Sequence, residues 1–243
     1  MEEIHDLSKY SWIEEQLEKI TEHPKEDHIR VWHAIPKGFS AYCKILPPVY
    51  LDLDYADDLR TYADMDREKD DEEMEVLGNR EAFPEANFKA QRMFWKELTN
   101  LQGVSFTPQI SVYDLFSYSW PIRYVNSGRE GDLSTEVESQ LSKLLSRHAK
   151  SKDYFVSYID YEDIDNIHQR IYKSNLSSGL ARISTRLLLP GTQIYWWGIN
   201  RDWCLAVDFD IDFSFFGGST ELVGLLIKDD FIECIPVEID SEL

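Results

Sequence analysis

Trp203 to Ser219, WCLAVDFDIDFSFFGGS, decides how this 243-residue chain is read. Apolar and acidic residues alternate strictly from Val207 to Phe213. The spacing therefore predicts one strand, Trp203 to Phe215, with Val207, Phe209, Ile211 and Phe213 on one face and Asp208, Asp210 and Asp212 on the other. The first face is expected to be buried and the second to be a wet row of negative charge. Gly217-Gly218 is expected to release the chain from the sheet, and Ser219 or Thr220 to cap a helix carrying Leu222, Val223, Leu225 and Leu226. Upstream, Gln193 to Trp197 reads as the hairpin partner across residues 198–202, and a short strand at Phe231 to Val237 closes the fold.

Further out, Tyr10, Ile13, Leu17 and Ile20 recur at helical spacing over residues 6–22, with Asp6 or Ser8 as cap. Residues 28–34 and 40–46 read as an antiparallel strand pair, the second closed by Pro47-Pro48, which cannot donate ladder hydrogen bonds. Helical spacing returns over 86–99, and residues 108–126 read as irregular strands interrupted by Pro121. Asp132 to His148 is a helix with Thr135 and Glu138 as a capping box and Val137, Leu141, Leu144 and Leu145 as its apolar stripe. Residues 153–160 and 181–189 read as strands around an irregular stretch. The order of elements predicts one α+β domain over 1–243, a largely antiparallel sheet packed with three to four helices.

The net charge of -20 is concentrated in two segments. Residues 52–85 carry 14 acidic against 4 basic side chains, and residues 202–243 carry 11 against Lys228 alone. The first reads as a solvated acidic insertion within the domain. Such a field repels nucleic-acid backbones and anionic membranes and favours a basic protein partner. No apolar run approaches the roughly 20 residues that span a bilayer, and the acidic amino terminus is unlike a signal peptide, so a cytoplasmic protein is expected. Cys43, Cys204 and Cys234 lie far apart in sequence and in no metal-binding spacing, so they read as reduced, mostly buried side chains.

Three blocks, IPKGFSAYCKILPPVY (35–50), LSKLLSRHAKSKDYFVSYID (141–160) and YWWGINRDWCLAVDFDIDFSFFGGSTELVGLL (195–226), resemble a family of bacterial cytosolic proteins of actinobacterial and Firmicute type. The last block carries most of the resemblance. The family has no assigned activity, so the resemblance implies a shared fold and a shared site near Trp196, Trp197, Trp203 and Asp208, with no catalytic residue to carry over.

Candidate chemistries are weighed residue by residue. Asp208, Asp210 and Asp212 on one strand would sit about 7 Å apart in successive pairs, too far for one cation to take all three. A calcium loop needs glycine where Phe213 stands, and a terminal glutamate as well. Asp160, Glu162, Asp163 and Asp165 with His168 have ligand types without ligand spacing, and read as a polar loop. Ser219 lacks the GxSxG setting of a nucleophile, and Cys43 or Cys204 with His33 would need the sheet to bring them together. No metal, cofactor or catalytic residue is expected. Trp196 and Trp197 must point to opposite faces of a strand, so one of them needs a helix, the insertion or a ligand to cover it.

The leading expectation is a non-enzymatic interaction protein that binds a basic partner such as a bacterial toxin, as an inhibitor or immunity protein does, through Asp208, Asp210, Asp212, Trp197 and Trp203. The alternative is an enzyme or small-molecule binder with a pocket near Trp196, Trp197, Trp203 and Asp208.

Overall fold

A computed structural model describes residues 1–17, 30–66, 69–82, 89–116, 119–126, 133–163, 166–181, 193–208 and 211–242. The chain forms two compact units, Met1–Leu46 with Glu130–Leu243, and Pro47–Arg129. The chain enters the second at Pro47-Pro48, where the lack of backbone donors ends a strand as expected. The expected acidic segment 52–85 lies inside this second unit.

The first unit is built on an eight-stranded antiparallel sheet. In chain order its strands are β1 (Glu2–Glu3), β2 (Ala41–Ile45), β6 (Asp153–Asp163), β7 (Asn166–Asn175), β8 (Gln193–Gly198), β9 (Trp203–Asp208), β10 (Ser214–Gly218) and β11 (Cys234–Val237). Strands β3 to β5 belong to the second unit. Across the sheet the order is β1-β7-β6-β8-β9-β10-β2-β11. Pro236 is tolerated in β11 because that strand is an edge.

Both faces of the centre are buried. Ile194, Trp196, Trp203, Leu205, Val207 and Phe216 pack on one side beneath α6 (Thr135–His148) and α7 (Thr220–Ile227). Tyr195, Trp197, Cys204, Ala206 and Phe215 pack on the other beneath α1 (Ser8–Gln16) and α2 (Val31–Ala34). Helix α6 presents Val137, Leu141 and Leu145, four residues apart and each at most 1% exposed. At about 1.5–3 kcal/mol per buried side chain this stripe is a main attachment of the helix. Its cap is Ser134, whose Oγ accepts from the Val137 N–H at 3.3 Å, one residue before the expected Thr135. Helix α7 starts as predicted, with Ser219 Oγ accepting from the Leu222 N–H at 3.2 Å.

Several expectations are corrected. The predicted strand from Trp203 to Phe215 is two antiparallel strands, β9 ending at Asp208 and β10 starting at Ser214, so the acidic alternation marks a change of direction. Gly217 and Gly218 lie inside β10, paired with Cys204 and Trp203. A Cβ on Gly217 would come within 2.6 Å of Phe39 Cδ2 and 3.1 Å of Tyr42 Cε1, so close packing and not release explains the glycine. Val31–Ala34 is a helical turn where a strand was expected, and no 28–34/40–46 pair forms in the described part. Asp160, Glu162 and Asp163 lie at the end of β6 and His168 near the start of β7, in strands where a loop was expected; Asp165 lies outside the described residues. The expected strand 181–189 lies outside them beyond Ala181.

The second unit has its own three-stranded antiparallel sheet, β4 (Ala90–Met93), β3 (Val49–Asp52) and β5 (Tyr124–Asn126) in that order. Helices α3 (Asp71–Ala82), α4 (Trp95–Gln102) and α5 (Val112–Phe116) complete it. The predicted helix 86–99 is thus a strand followed by a helix, and α5 lies where only irregular strands were expected. Within the described part of the acidic segment, Met65 and Leu77 form a small core with Ile122, packed against by Tyr55, Tyr62 and Met74. The fold is α+β and largely antiparallel, as the sequence indicates. Seven helices are described against the three to four legible from periodicity, two of them only four and five residues long. None is long and apolar enough to cross a membrane.

Candidate functional site

Asp208 and Asp212 of the expected contact row do not share one strand. Asp208, at the end of β9, accepts from Gln193 Nε2 at 2.6 Å, and Gln193 Oε1 accepts from the Tyr195 hydroxyl at 2.7 Å, a network on the α1 side of the sheet. Asp210 lies outside the described residues. Asp212 is half-buried, and burial raises its carboxyl above the ordinary range while the Lys44 charge opposes the rise. Lys44 itself is fully buried on β2, with its Nζ 3.5 Å from the centre of the Phe213 ring. Phe213, just before β10, thus packs on a buried lysine, whose charge is felt by the half-buried Asp212 beside it.

The tryptophans are core. Trp203 is 0% exposed and Trp197 1%, which removes both from reach of a partner protein. Trp196 and Trp197 do take opposite faces, and the cover that the second needs is α1, whose Tyr10 and Trp12 rings lie 6.2 and 6.3 Å from it.

No thiol is set for nucleophilic work. Cys204 is buried, and burial alone pushes its pKa well up. His33 Nδ1 is engaged by the Arg30 N–H at 2.9 Å. Cys43 and Cys234, far apart in sequence, sit on adjacent strands. Their mutual hydrogen bond, followed by burial, raises the Cys234 thiol. Among the described residues no three His, Cys, Asp or Glu side chains gather as a metal site.

Two features remain, one in each unit. In the first, Ile4, Phe155, Trp197 and Ile199 line a depression of about 340 Å³ whose other walls are Lys9, Lys173 and Arg201. Its floor follows from strand register. Lys173 stands opposite Phe155 across β7 and β6, and Phe155 opposite Trp197 across β6 and β8. The rim comes from the β8–β9 turn, which is tightly fixed. Asp202 accepts from the Ser151 backbone N–H at 2.9 Å and from the Ser151 hydroxyl, and that hydroxyl accepts from the Asn200 N–H at 3.2 Å. Arg201 in this turn has φ of 57°, the left-handed region that a side chain disfavours, and its N–H donates to the Gly198 carbonyl at 2.7 Å.

In the second unit, Arg60 clamps two carboxylates. Its Nε and Nη2 donate to Asp58 at 2.8–3.2 Å, and Nη1 and Nη2 donate to Glu73 on α3 at 3.1 and 2.9 Å. The Arg60 hydrogen bond holds the Asp58 carboxyl below its ordinary range. The Arg60 carbonyl accepts from the Ile122 N–H at 3.1 Å, tying the clamp to the small core. Next to it in sequence Leu59 is 76% exposed; Leu53 and Val76 of the same unit are exposed too, as are Asp54, Asp57, Asp71, Glu72 and Glu75. Charge counting locates this acidic region. The clamp between residues 58, 60 and 73 has no periodic signature, so sequence reading misses it.

Comparison of the chain with protein-family models, curated proteins and solved structures gives no match.

Proposed function

We propose that this protein is a non-enzymatic interaction protein that holds a basic protein partner on the acidic surface of residues 47–129, most concretely as a cytoplasmic inhibitor or immunity protein of a basic bacterial toxin. The observation that carries this reading is Leu59, 76% exposed between the clamp residues Asp58 and Arg60 within the acidic segment. A large apolar side chain on an ordered, charged rim is costly to leave in water and suited to anchor a partner. The surrounding carboxylates would speed encounter with a cationic surface. A second reading, small-molecule binding, is favoured by the depression over Trp197, which Trp196 and Trp203 do not line.

The interaction reading is tested by a photo-crosslinking residue placed at position 59 of the full chain in its own cells. A basic protein is expected in the adduct, and it disappears when Asp71, Glu72 and Glu75 are all changed to Lys. Crosslinking to no protein, or to acidic proteins unaffected by that charge reversal, would overturn the proposal.

A further inference from the structure

The first unit places three cations around one depression in a chain of net charge -20. Two of them are partly compensated, Lys9 by Asp6 at 3.6 Å and Lys173 by Asp153 at 3.3 Å. Asp153 is further engaged by Asn175 Nδ2 at 2.5 Å, a bond that, with Lys173, holds its carboxyl low and charged. Arg201 differs. Among the described residues no carboxylate pairs with it, and its guanidinium lies 5.2 Å from the centre of the Trp12 ring. It is also the one non-glycine residue at positive φ among the described residues.

Hairpin chemistry alone does not account for arginine there. Glycine or asparagine adopts that backbone more readily, and an unfavourable conformation kept at a pocket rim points to a task for the side chain. The surrounding turn is over-determined, since Asp202 and Asn200 both bond Ser151, and a Cβ on Gly198 would meet Asp202 Oδ1 at 2.5 Å. The guanidinium is therefore carried on a rigid support next to the apolar walls of Phe155 and Ile199, beneath which Trp197 is buried.

We propose that this depression binds a small organic carboxylate with a flat apolar body, the carboxylate taken by Arg201 with Lys9 and Lys173 beside it and the body laid against Phe155 and Ile199, above the buried Trp197. One unpaired guanidinium matches one negative charge, and its planar fork matches a carboxylate edge on. A volume of about 340 Å³ lies at the small end of ligand sites and suits a one- or two-ring molecule. The proposal rests on reading the depression as a small-molecule site and is independent of the acidic surface of the other unit.

The test titrates the full chain with indole-3-carboxylate, with the neutral indole-3-carboxamide, and with acetate and inorganic phosphate, following the indole N–H of Trp197 by nitrogen-edited proton NMR. Saturable movement of that signal with the carboxylate is expected, with the carboxamide weaker by about tenfold or more. Arg201→Gly should weaken carboxylate binding by a similar factor while keeping the thermal midpoint, because glycine accepts the same φ. Lys173→Gln provides a second variant with a smaller loss. Equal affinity for the carboxamide, or binding untouched by Arg201→Gly, would overturn the anion assignment and leave a neutral small-molecule site. Acetate or phosphate moving the signal as strongly as the indole acid would overturn the apolar contribution. No saturable movement with any probe would overturn the site itself.

Discussion

Lys44 and Asp212 show how a residue that looks like surface chemistry is absorbed into packing. The aspartate reads as part of a wet row, yet it is half-buried with a raised pKa, and the nearby lysine is fully buried. The sign of the linkage is fixed. A carboxyl whose pKa rises on folding holds its proton more tightly when folded, so its contribution to stability is present below the unfolded value near 4 and is lost as pH rises through the folded one. Because the Lys44 charge opposes this rise, Lys44→Met is predicted to move the Asp212 titration to still higher pH, as read by carboxyl carbon NMR. An unmoved or lower value would detach the two groups. Opposite facing of Trp196 and Trp197 was legible, since adjacency in a strand dictates it. The Arg60 clamp was not, because partners 13 residues apart meet only once the chain has folded.

Among elements, the best-read ones have local punctuation. Ser219 before an apolar run announces α7, and the paired prolines announce the end of β2. Ser219→Ala is expected to cost about 1 kcal/mol by denaturant unfolding, since the Leu222 N–H loses its acceptor. Trp203 to Phe215 was misread because a period-two pattern states which residues share a face but not where the strand turns back. Residues 28–34 failed for a related reason, as one turn of helix is too short to show a period. Gly217 is the element-scale residue whose purpose only the sheet reveals. Gly217→Ala forces a Cβ into Phe39 and Tyr42 and is predicted to destabilise by about 1–3 kcal/mol, whereas a glycine that merely released the chain would tolerate alanine with little change.

For the whole molecule, composition located the two acidic segments correctly, and the structure gives them different fates. In the carboxyl-terminal segment, Asp208 is bound to Gln193 at the end of β9, and Asp212 is half-buried within the field of Lys44. In residues 47–129, Asp54, Asp57, Asp71, Glu72 and Glu75 are exposed, as is Leu59. The α+β class was legible because buried strands and capped helices leave strong patterns. The division at Pro47 was not, since the acidic stretch has too few large apolar residues to advertise a core of its own. If the acidic surface is the partner site, its association with a basic protein must be electrostatically steered, with a rate that falls steeply as salt rises across the range where the Debye length shrinks from about 30 to 8 Å.

Whether the carboxylates that meet a partner are those of α3 or those at the end of β9 is decided by measuring the association rate of the basic protein crosslinked at position 59 with two charge-reversed variants. Asp71, Glu72 and Glu75 changed together to Lys should keep the fold and slow association by about tenfold or more. Asp208 and Asp212 changed together to Lys should instead lower the thermal midpoint while leaving the association rate of the folded fraction close to that of the unaltered chain. The reverse pattern, with binding lost at 208 and 212 in a fully stable protein and retained at 71, 72 and 75, would contradict the account.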